Sequence, residues 1–253
     1  MAVVAVFNQK GGVGKTTTTL NVAAALLMLE RQPILIDLDP QAHLSLALGL
    51  KSLPGDVCAS AYFLHDKPLA QLVRQLPGGL RIIPGHPDLA KVDSMLGGVK
   101  GVAAKLRTGL NQLGGGNSPV LMDCAPALSV LTLNALFAAD RVLIPVTSDF
   151  LAMQGLHRTE IALRVLEKPL GRPIERRMVV TRYAEDKPQC REALATLKQR
   201  YQHELTEAKI ADDLALAESP AHGMDIFAYA ADSTGAHDYR VLTMELLSKG
   251  FFE

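Results

Sequence analysis

Cysteine is scarce in this chain, and its three cysteines, Cys58, Cys124 and Cys190, lie far apart in the sequence. They form no Cys-x-x-Cys pair, which disfavours a zinc site or an iron–sulfur scaffold. Sparse, unpaired cysteines are typical of a reducing compartment. The sequence also lacks a signal-type N-terminal segment and any apolar stretch of about 18 residues, the length that a membrane-spanning helix needs. We therefore expect a cytoplasmic protein that does not enter a membrane.

An excess of charge is also absent, because 26 basic residues balance 26 acidic ones. Contact with a polyanion would therefore have to come from a local basic patch. No internal repeat or low-complexity tract interrupts the sequence. The 253 residues are 48% apolar, with a mean hydropathy of +0.15, which is enough for a substantial core. We expect a single domain over residues 1–253.

Short apolar runs alternate with helical patterns along the chain. Strands are predicted at residues 3–7, 33–37, 80–84, 120–123, 141–146 and 177–181. This alternation predicts an α/β fold, with a mainly parallel twisted sheet and helices on both of its faces. In such sheets ligands bind beyond the carboxyl ends of the strands.

A glycine-rich loop follows the first predicted strand and reads Lys-Gly-Gly-Val-Gly-Lys-Thr-Thr over residues 10–17. A strand, a glycine loop, a Lys-Thr pair and a helix in this order predict a phosphate-binding loop rather than an ordinary glycine turn. Lys15 places a point charge on the outer phosphates, and the Thr16 hydroxyl suits Mg²⁺. The residues predicted to contact nucleotide are Gly11, Gly12, Val13, Gly14, Lys15, Thr16 and Thr17.

Two acidic motifs end other predicted strands. The run from Ile34 reaches Asp37 and Asp39 just before Pro40, and the run from Val120 stops at Asp123. Asp123 fits the Walker B role, in which a carboxylate holds Mg²⁺ through water. A positioned carboxylate also suffices to direct water at a phosphate. For Asp37 alone, a helix N-cap is the alternative.

The loop departs from the strict pattern G-x-x-x-x-G-K-[ST], because Gln9 stands where the first glycine is expected and Lys10 adds a second lysine. In this feature the chain resembles the deviant Walker A proteins of the ParA/MinD family, and most of all the short, Soj-like ParA type. The resemblance implies ATP and Mg²⁺ as cofactors. It implies that Lys10 reaches the nucleotide of a partner subunit, that Asp39 orients the attacking water, and that Asp37 supports the metal. A merely solvated loop lysine is the alternative for Lys10.

The resemblance extends to the segment Gly235–Tyr239 and so covers nearly the whole chain. It implies an ATP-bound homodimer that binds nucleoid DNA non-specifically and positions cargo, either a partition complex or a protein assembly such as a carboxysome. A ParB-like or adaptor protein would stimulate hydrolysis. The alternative is an ATP-switched regulator that acts through protein partners without DNA. A metabolic P-loop enzyme is disfavoured by the lack of cluster cysteines and of a substrate-pocket motif.

The sequence departs from the family where DNA-binding arginine is expected, because Ala211, Asp212 and Asp213 follow Ile210. A carboxylate there repels phosphate. Residues 157–209 hold 12 basic and 8 acidic side chains, whereas residues 210–253 hold 2 and 8. The upstream basic residues predict either a salt-sensitive DNA surface or solvated helix faces paired with Glu160, Glu167 and Glu192. The family's purine-contacting loop would begin within residues 179–183.

Two apolar stripes in the second half of the chain are predicted to belong to the core. The first comprises Leu151, Leu156, Ile161, Leu163 and Leu166. The second comprises Val241, Leu242, Met244, Leu246 and Leu247.

Overall fold

The computed structural model describes residues 1–114, 116 and 118–253, with the side chains at 150–152 and 154 left aside. A sheet of eight strands forms its centre, in the order β3-β4-β2-β5-β1-β6-β7-β8. Neighbouring strands run parallel except for β3, which pairs antiparallel with β4. The strands are β1 (Val3–Val6), β2 (Ile34–Asp37), β3 (Arg74–Gln75), β4 (Arg81–Ile83), β5 (Val120–Asp123), β6 (Arg141–Thr147), β7 (Glu175–Tyr183) and β8 (Leu205–Ala211).

Helices connect the strands and cover both faces of the sheet. They are α1 (Lys15–Met28), α2 (His43–Ala47), α3 (Ala59–His65), α4 (Ala90–Leu96), α5 (Lys105–Leu113), α6 (Val130–Ala138), α7 (Phe150–Leu170), α8 (Pro188–Tyr201), α9 (Leu214–Glu218), α10 (Ile226–Tyr229) and α11 (Thr234–Ser248). In the part of the chain that the structure describes, no helix combines the length and apolar character needed to cross a membrane.

Alternation of side chains along the strands divides the core into two layers. In β1, Val3 and Ala5 pack on the face covered by α3 to α8, whereas Val4 and Val6 pack on the face covered by α1, α2 and α9 to α11. All four residues are buried. A strand buried on both faces reads as a continuous apolar run, which is why the sequence pattern was informative here. The predicted α/β class and the six predicted strands are confirmed.

The sequence did not predict β3 and β8. β8 is an edge strand that alternates apolar residues with Thr206, Glu207 and Lys209, so it lacks an apolar run. Helix α11 covers its open edge. Glu245 accepts hydrogen bonds from the amides of Glu207 (3.0 Å) and Ala208 (2.8 Å), and Asp238 accepts one from the Ala211 amide (2.8 Å). These carboxylates accept hydrogen bonds from backbone amides that could otherwise pair with another strand.

The two predicted apolar stripes are only partly buried. In α7, Leu156, Leu163 and Leu166 are core residues, but Ile161 is 49% exposed. Successive helical residues differ by about 100°, so Ile161 cannot share a face with both Leu156 and Leu163. In α11 the same geometry buries Leu242 and Leu246 and leaves the side chains of Val241 and Met244 exposed. The Leu151 side chain lies outside the described residues.

Candidate nucleotide-binding site

The glycine-rich loop runs from the carboxyl end of β1 to the first residue of α1. Gly12 and Gly14 have φ values of 73° and 82°, a region that residues with a Cβ rarely adopt. No side chain caps the start of α1, so its first amides are open to an anion. All the residues predicted to contact nucleotide line one cavity except Val13, which is fully buried. The Val13 carbonyl instead accepts a hydrogen bond from Thr181 Oγ1 (3.0 Å), which ties the loop to β7.

Lys15 lies inside the loop with only 8% of its surface exposed. Its Nζ donates to the Lys10 carbonyl (2.9 Å), so the ammonium is held within the curve of the loop. Burial lowers the pKa of Lys15, and the nearby Asp123 carboxylate partly opposes this shift. A desolvated ammonium held in this way can bind negatively charged phosphate oxygens.

Thr16 and Asp123 meet at the ends of α1 and β5. Thr16 Oγ1 donates to Asp123 Oδ2 (2.7 Å), and Thr19 Oγ1 lies 3.4 Å from the other carboxylate oxygen. Burial, and then the charge of Asp37, its register partner on β2, together raise the pKa of Asp123 to about 8. Two adjacent buried carboxylates and a hydroxyl form a set of hard oxygens that suits Mg²⁺, whose charge would replace the proton. Among the described residues, no cluster of three or more His, Cys, Asp or Glu side chains offers another metal site.

Asp37 is fully buried and anchors the segment that follows β2. Its Oδ2 accepts hydrogen bonds from the amide (2.9 Å) and hydroxyl (2.7 Å) of Ser45, and its Oδ1 accepts one from the Asp39 amide (3.2 Å). Burial raises its pKa to about 6 despite these bonds. A Cβ at Gly85 would lie 2.7 Å from the carboxyl carbon, so glycine is required beside it. Because Ser45 belongs to α2, Asp37 holds the first turn of a helix as well as facing Asp123.

Asp39 lies at the wall of the cavity and is 9% exposed. One of its oxygens accepts a hydrogen bond from the Gln41 amide (2.8 Å), which fixes the carboxylate in the tight turn that runs from Asp39 through Pro40. The structure therefore brings Asp39 to the same cavity as the glycine loop, as the strand-end rule predicts.

Lys10 is folded back on its own subunit. Its Nζ lies 2.7 Å from the Asp149 carboxylate and 3.2 Å from Thr147 Oγ1, at the end of β6. Thr147 itself donates to Asp149 (2.6 Å). No local pattern indicates this partner, because Lys10 and Asp149 are distant along the chain. A Cβ at Gly155 of α7 would lie 2.9 Å from the Lys10 Cβ, so α7 packs directly on this lysine.

The cavity has a volume of about 960 Å³ and extends from the glycine loop to the ends of β7 and β8. Arg182, a non-glycine residue with φ of 52°, forms part of its far wall and pairs with Asp212 (3.4 Å). Asp213 caps α9 through the Ala215 amide (2.9 Å) and also accepts from the Gly235 amide (2.7 Å). Asp212 and Asp213, which replace the expected basic residues, therefore border the nucleotide cavity. Helix capping accounts for the aspartate at position 213.

Comparison with known proteins identifies the family. A family described as an AAA domain matches residues 1–172. The chromosome partitioning protein ParA of Myxococcus xanthus is 30% identical, over 98% of this chain and 88% of its own length. The chromosome-partitioning ATPase Soj of Thermus thermophilus is 34% identical, over 97% of this chain and 95% of its own. The chain belongs to the ParA/Soj family.

Solved structures with the same fold contain nucleotide. A Mycobacterium smegmatis protein named cobyrinic acid a,c-diamide synthase, with bound ADP and magnesium, is 29% identical to this ParA/Soj chain. It has a TM-score of 0.85 and covers 99% of this chain and 95% of its own. The ATP complex of a McdA variant from Cyanothece has a TM-score of 0.87 at 20% identity, over 98% and 96% of the chains, which shows the shared fold.

Proposed function

We propose that the protein is a single-domain, Mg²⁺-dependent ATPase that forms a homodimer when ATP is bound. The observation that carries this proposal is the meeting of Lys15, Thr16 and Asp123 beside a loop that also presents Lys10. Phosphate binding and metal binding are thus available at one cavity, and Lys10 of the same loop adds a second cation beside it. These are the requirements of phosphoryl transfer to water, which depends on positioning and charge neutralisation.

Each residue at the phosphate end has a separate role in this proposal. The amides of Gly11, Gly12, Gly14 and Thr17 and the Lys15 ammonium bind phosphate oxygens, while Val13 anchors the loop through Thr181. Thr16 and Asp123 would hold Mg²⁺, Asp123 through water. When bound, Mg²⁺ would neutralise phosphate charge. Asp37 supports the site by fixing the segment between β2 and α2.

Hydrolysis needs a positioned water and additional positive charge. Asp39, held by the Gln41 amide at the cavity wall, is the residue that orients the attacking water. Lys10 supplies charge to the nucleotide of the second subunit once it leaves Asp149. The base of the nucleotide occupies the far end of the cavity, near Arg182 and Asp212.

The biological role in this proposal is the positioning or segregation of cargo on nucleoid DNA, with hydrolysis stimulated by a ParB-like or adaptor protein. The partitioning names of the curated relatives support it. The structure gives the DNA-binding part less support, because much of the basic block is already paired with carboxylates. The ion-paired residues are Arg164, Arg176, Arg177, Arg182, Lys198 and Arg200. This pairing favours the alternative of an ATP-switched regulator that acts on proteins alone.

The test is binding to non-specific duplex DNA with ATP, with ADP and without nucleotide, over a salt series. Asp39→Ala is included to retain ATP, and Lys15→Gln is the control that should not bind it. ATP-dependent binding that weakens steeply with salt supports the DNA-positioning role. An intact ATP dimer without DNA binding would overturn that role in favour of the protein-only regulator. Turnover that requires added cobyrinic acid would instead assign the activity named for the Mycobacterium smegmatis relative.

A further inference from the structure

The solvent side of α7 carries apolar and basic residues but no exposed carboxylate. We define the α7 outer face as His157, Arg158, Ile161, Arg164, Val165 and Lys168. Ile161 and Val165 lie one turn apart and are 49% and 66% exposed. Of the two acids within the stretch, Glu160 is buried and accepts from Tyr201 Oη (2.8 Å), and Glu167 is 24% exposed and accepts from the Ile174 amide (3.1 Å). The helix thus presents an apolar centre within a basic rim.

Glu160 lies beneath this surface and partly neutralises two of the arginines at its edge. Its side chain is 7% exposed and draws Arg200 of α8 (3.4 Å) and Arg164 (3.9 Å) towards the same surface. An exposed helix normally mixes charges of both signs with polar residues. Here, across about three turns or roughly 17 Å of helix, the charged side chains that α7 exposes beside the two apolar residues are all basic.

The inner side of the same helix holds the phosphate loop. Thr159 Oγ1 accepts a hydrogen bond from the Gln9 amide (3.1 Å) and lies 3.2 Å from Asn8 Oδ1. Asn8 Oδ1 in turn accepts from the Lys10 amide (3.0 Å). Together with the close packing of Gly155 on Lys10, these bonds make α7 one wall of the loop. The α7 helix therefore connects the outer face to the residues around Lys10.

We propose that the α7 outer face is the docking surface for a helix of a partner protein. The partner helix carries apolar side chains one turn apart, and carboxylates flank them. A helix laid on a helix face pairs apolar positions at this spacing. Duplex DNA offers phosphate but nothing apolar to cover Ile161 and Val165. A second copy in a symmetric contact would place arginine against arginine. The further step, that docking alters ATP turnover through Lys10, rests on the proposed function.

The probe is a synthetic helical peptide of about 18 residues, with leucines one turn apart flanked by glutamates, labelled for fluorescence anisotropy. A peptide with lysine in place of glutamate is its counterpart. Full-length wild type is compared with the double variant Ile161→Asp and Val165→Asp. The matched control is Val241→Asp and Met244→Asp, two exposed apolar residues of α11. Binding is measured without nucleotide, so that the result does not depend on the ATPase proposal.

We expect wild type to bind the acidic peptide about tenfold more tightly than the lysine peptide. The α7 variant should lose about tenfold in affinity for the acidic peptide, while the α11 control should keep its affinity. The proposed docking surface would be contradicted if wild type showed no preference for the acidic peptide, or if both variants lost the same amount of peptide affinity. The proposal would also be overturned if wild type bound duplex DNA but not the peptide, and the α7 variant no longer bound the DNA. A change in ATP hydrolysis of more than about twofold on adding the peptide supports the coupling, and a smaller change overturns the coupling alone.

Discussion

Lys10 Nζ lies 2.7 Å from the carboxylate of Asp149 in the same chain. The lysine that distinguishes this phosphate loop from the strict pattern is therefore bound within its own subunit. To reach a second nucleotide it must leave Asp149. The two side chains are 25% and 50% exposed, so the pair stabilises this position by about 1 kcal/mol or less. That amount can bias a switch without preventing it.

Asp149→Asn should favour the ATP-bound dimer by removing the ion pair that retains Lys10. The expected gain in dimer affinity is up to about fivefold, the equivalent of about 1 kcal/mol. Sedimentation equilibrium with Mg²⁺ and a non-hydrolysable ATP analogue measures it. A weaker dimer would show that Asp149 serves the dimer itself rather than holding Lys10 back.

Asp39→Ala should remove hydrolysis while ATP remains bound. We expect turnover to fall by about 100-fold or more, because the attacking water loses the carboxylate that orients it. Phosphate release and ATP affinity are measured on the same preparation. Asp56→Ala, at an exposed aspartate that does not line the cavity, is the control. Wild-type turnover in Asp39→Ala would remove this residue from the catalytic role.

Lys15→Gln and Asp123→Asn should affect different parts of ATP binding. The first removes the buried ammonium from the loop, so nucleotide binding should be lost. The second keeps the shape of the side chain next to Thr16 but removes its charge, so ATP should still bind while Mg²⁺ no longer tightens binding. Calorimetric titration with and without Mg²⁺ separates the two effects. Undiminished ATP binding by Lys15→Gln would contradict the phosphate-loop assignment.

Glu245→Gln should weaken the edge of the sheet in a pH-dependent way. Burial alone would raise the pKa of Glu245, but hydrogen bonds from Lys249 and from the amides of Ala208 and Glu207 hold it below its usual value. A carboxyl with a lowered folded-state pKa stabilises the protein above its unfolded pKa, and this contribution is lost as the pH falls through the folded pKa. We expect a loss of about 1–2 kcal/mol in the free energy of unfolding at neutral pH, shrinking in acid.

Denaturant unfolding at about pH 7 and at about pH 3, above and below the ordinary carboxyl range, measures this difference. Glu207→Gln is the control, because its side chain is 82% exposed and pairs only weakly with Lys198 (3.6 Å). An equal loss for Glu245→Gln at both pH values would show that its charge does not matter.

The sequence predicts the parts of the fold and site that are continuous along the chain. Strands buried on both faces, the loop before α1 and the acids at strand ends all carry local signals. Asp39 lines the cavity as expected, and Asp123 contacts Thr16 beside it. Contacts between distant segments carry no such signal. The Asp149 partner of Lys10, the Ser45 partner of Asp37 and the capping role of Asp213 depend on folding, so only the structure reveals them. The edge strand β8 was missed because its pattern is half polar.

Light scattering with ATP, with ADP and without nucleotide tests most directly the central claim of an ATP-switched dimer built around Lys10. The measurement compares wild type, Asp39→Ala and the double variant Asp39→Ala with Lys10→Ala, since Asp39→Ala prevents hydrolysis during the experiment. We expect Asp39→Ala to be dimeric with ATP only, and the added Lys10→Ala to return it to a monomer that still binds nucleotide. A dimer that persists without Lys10, or that forms equally with ADP, would contradict the account.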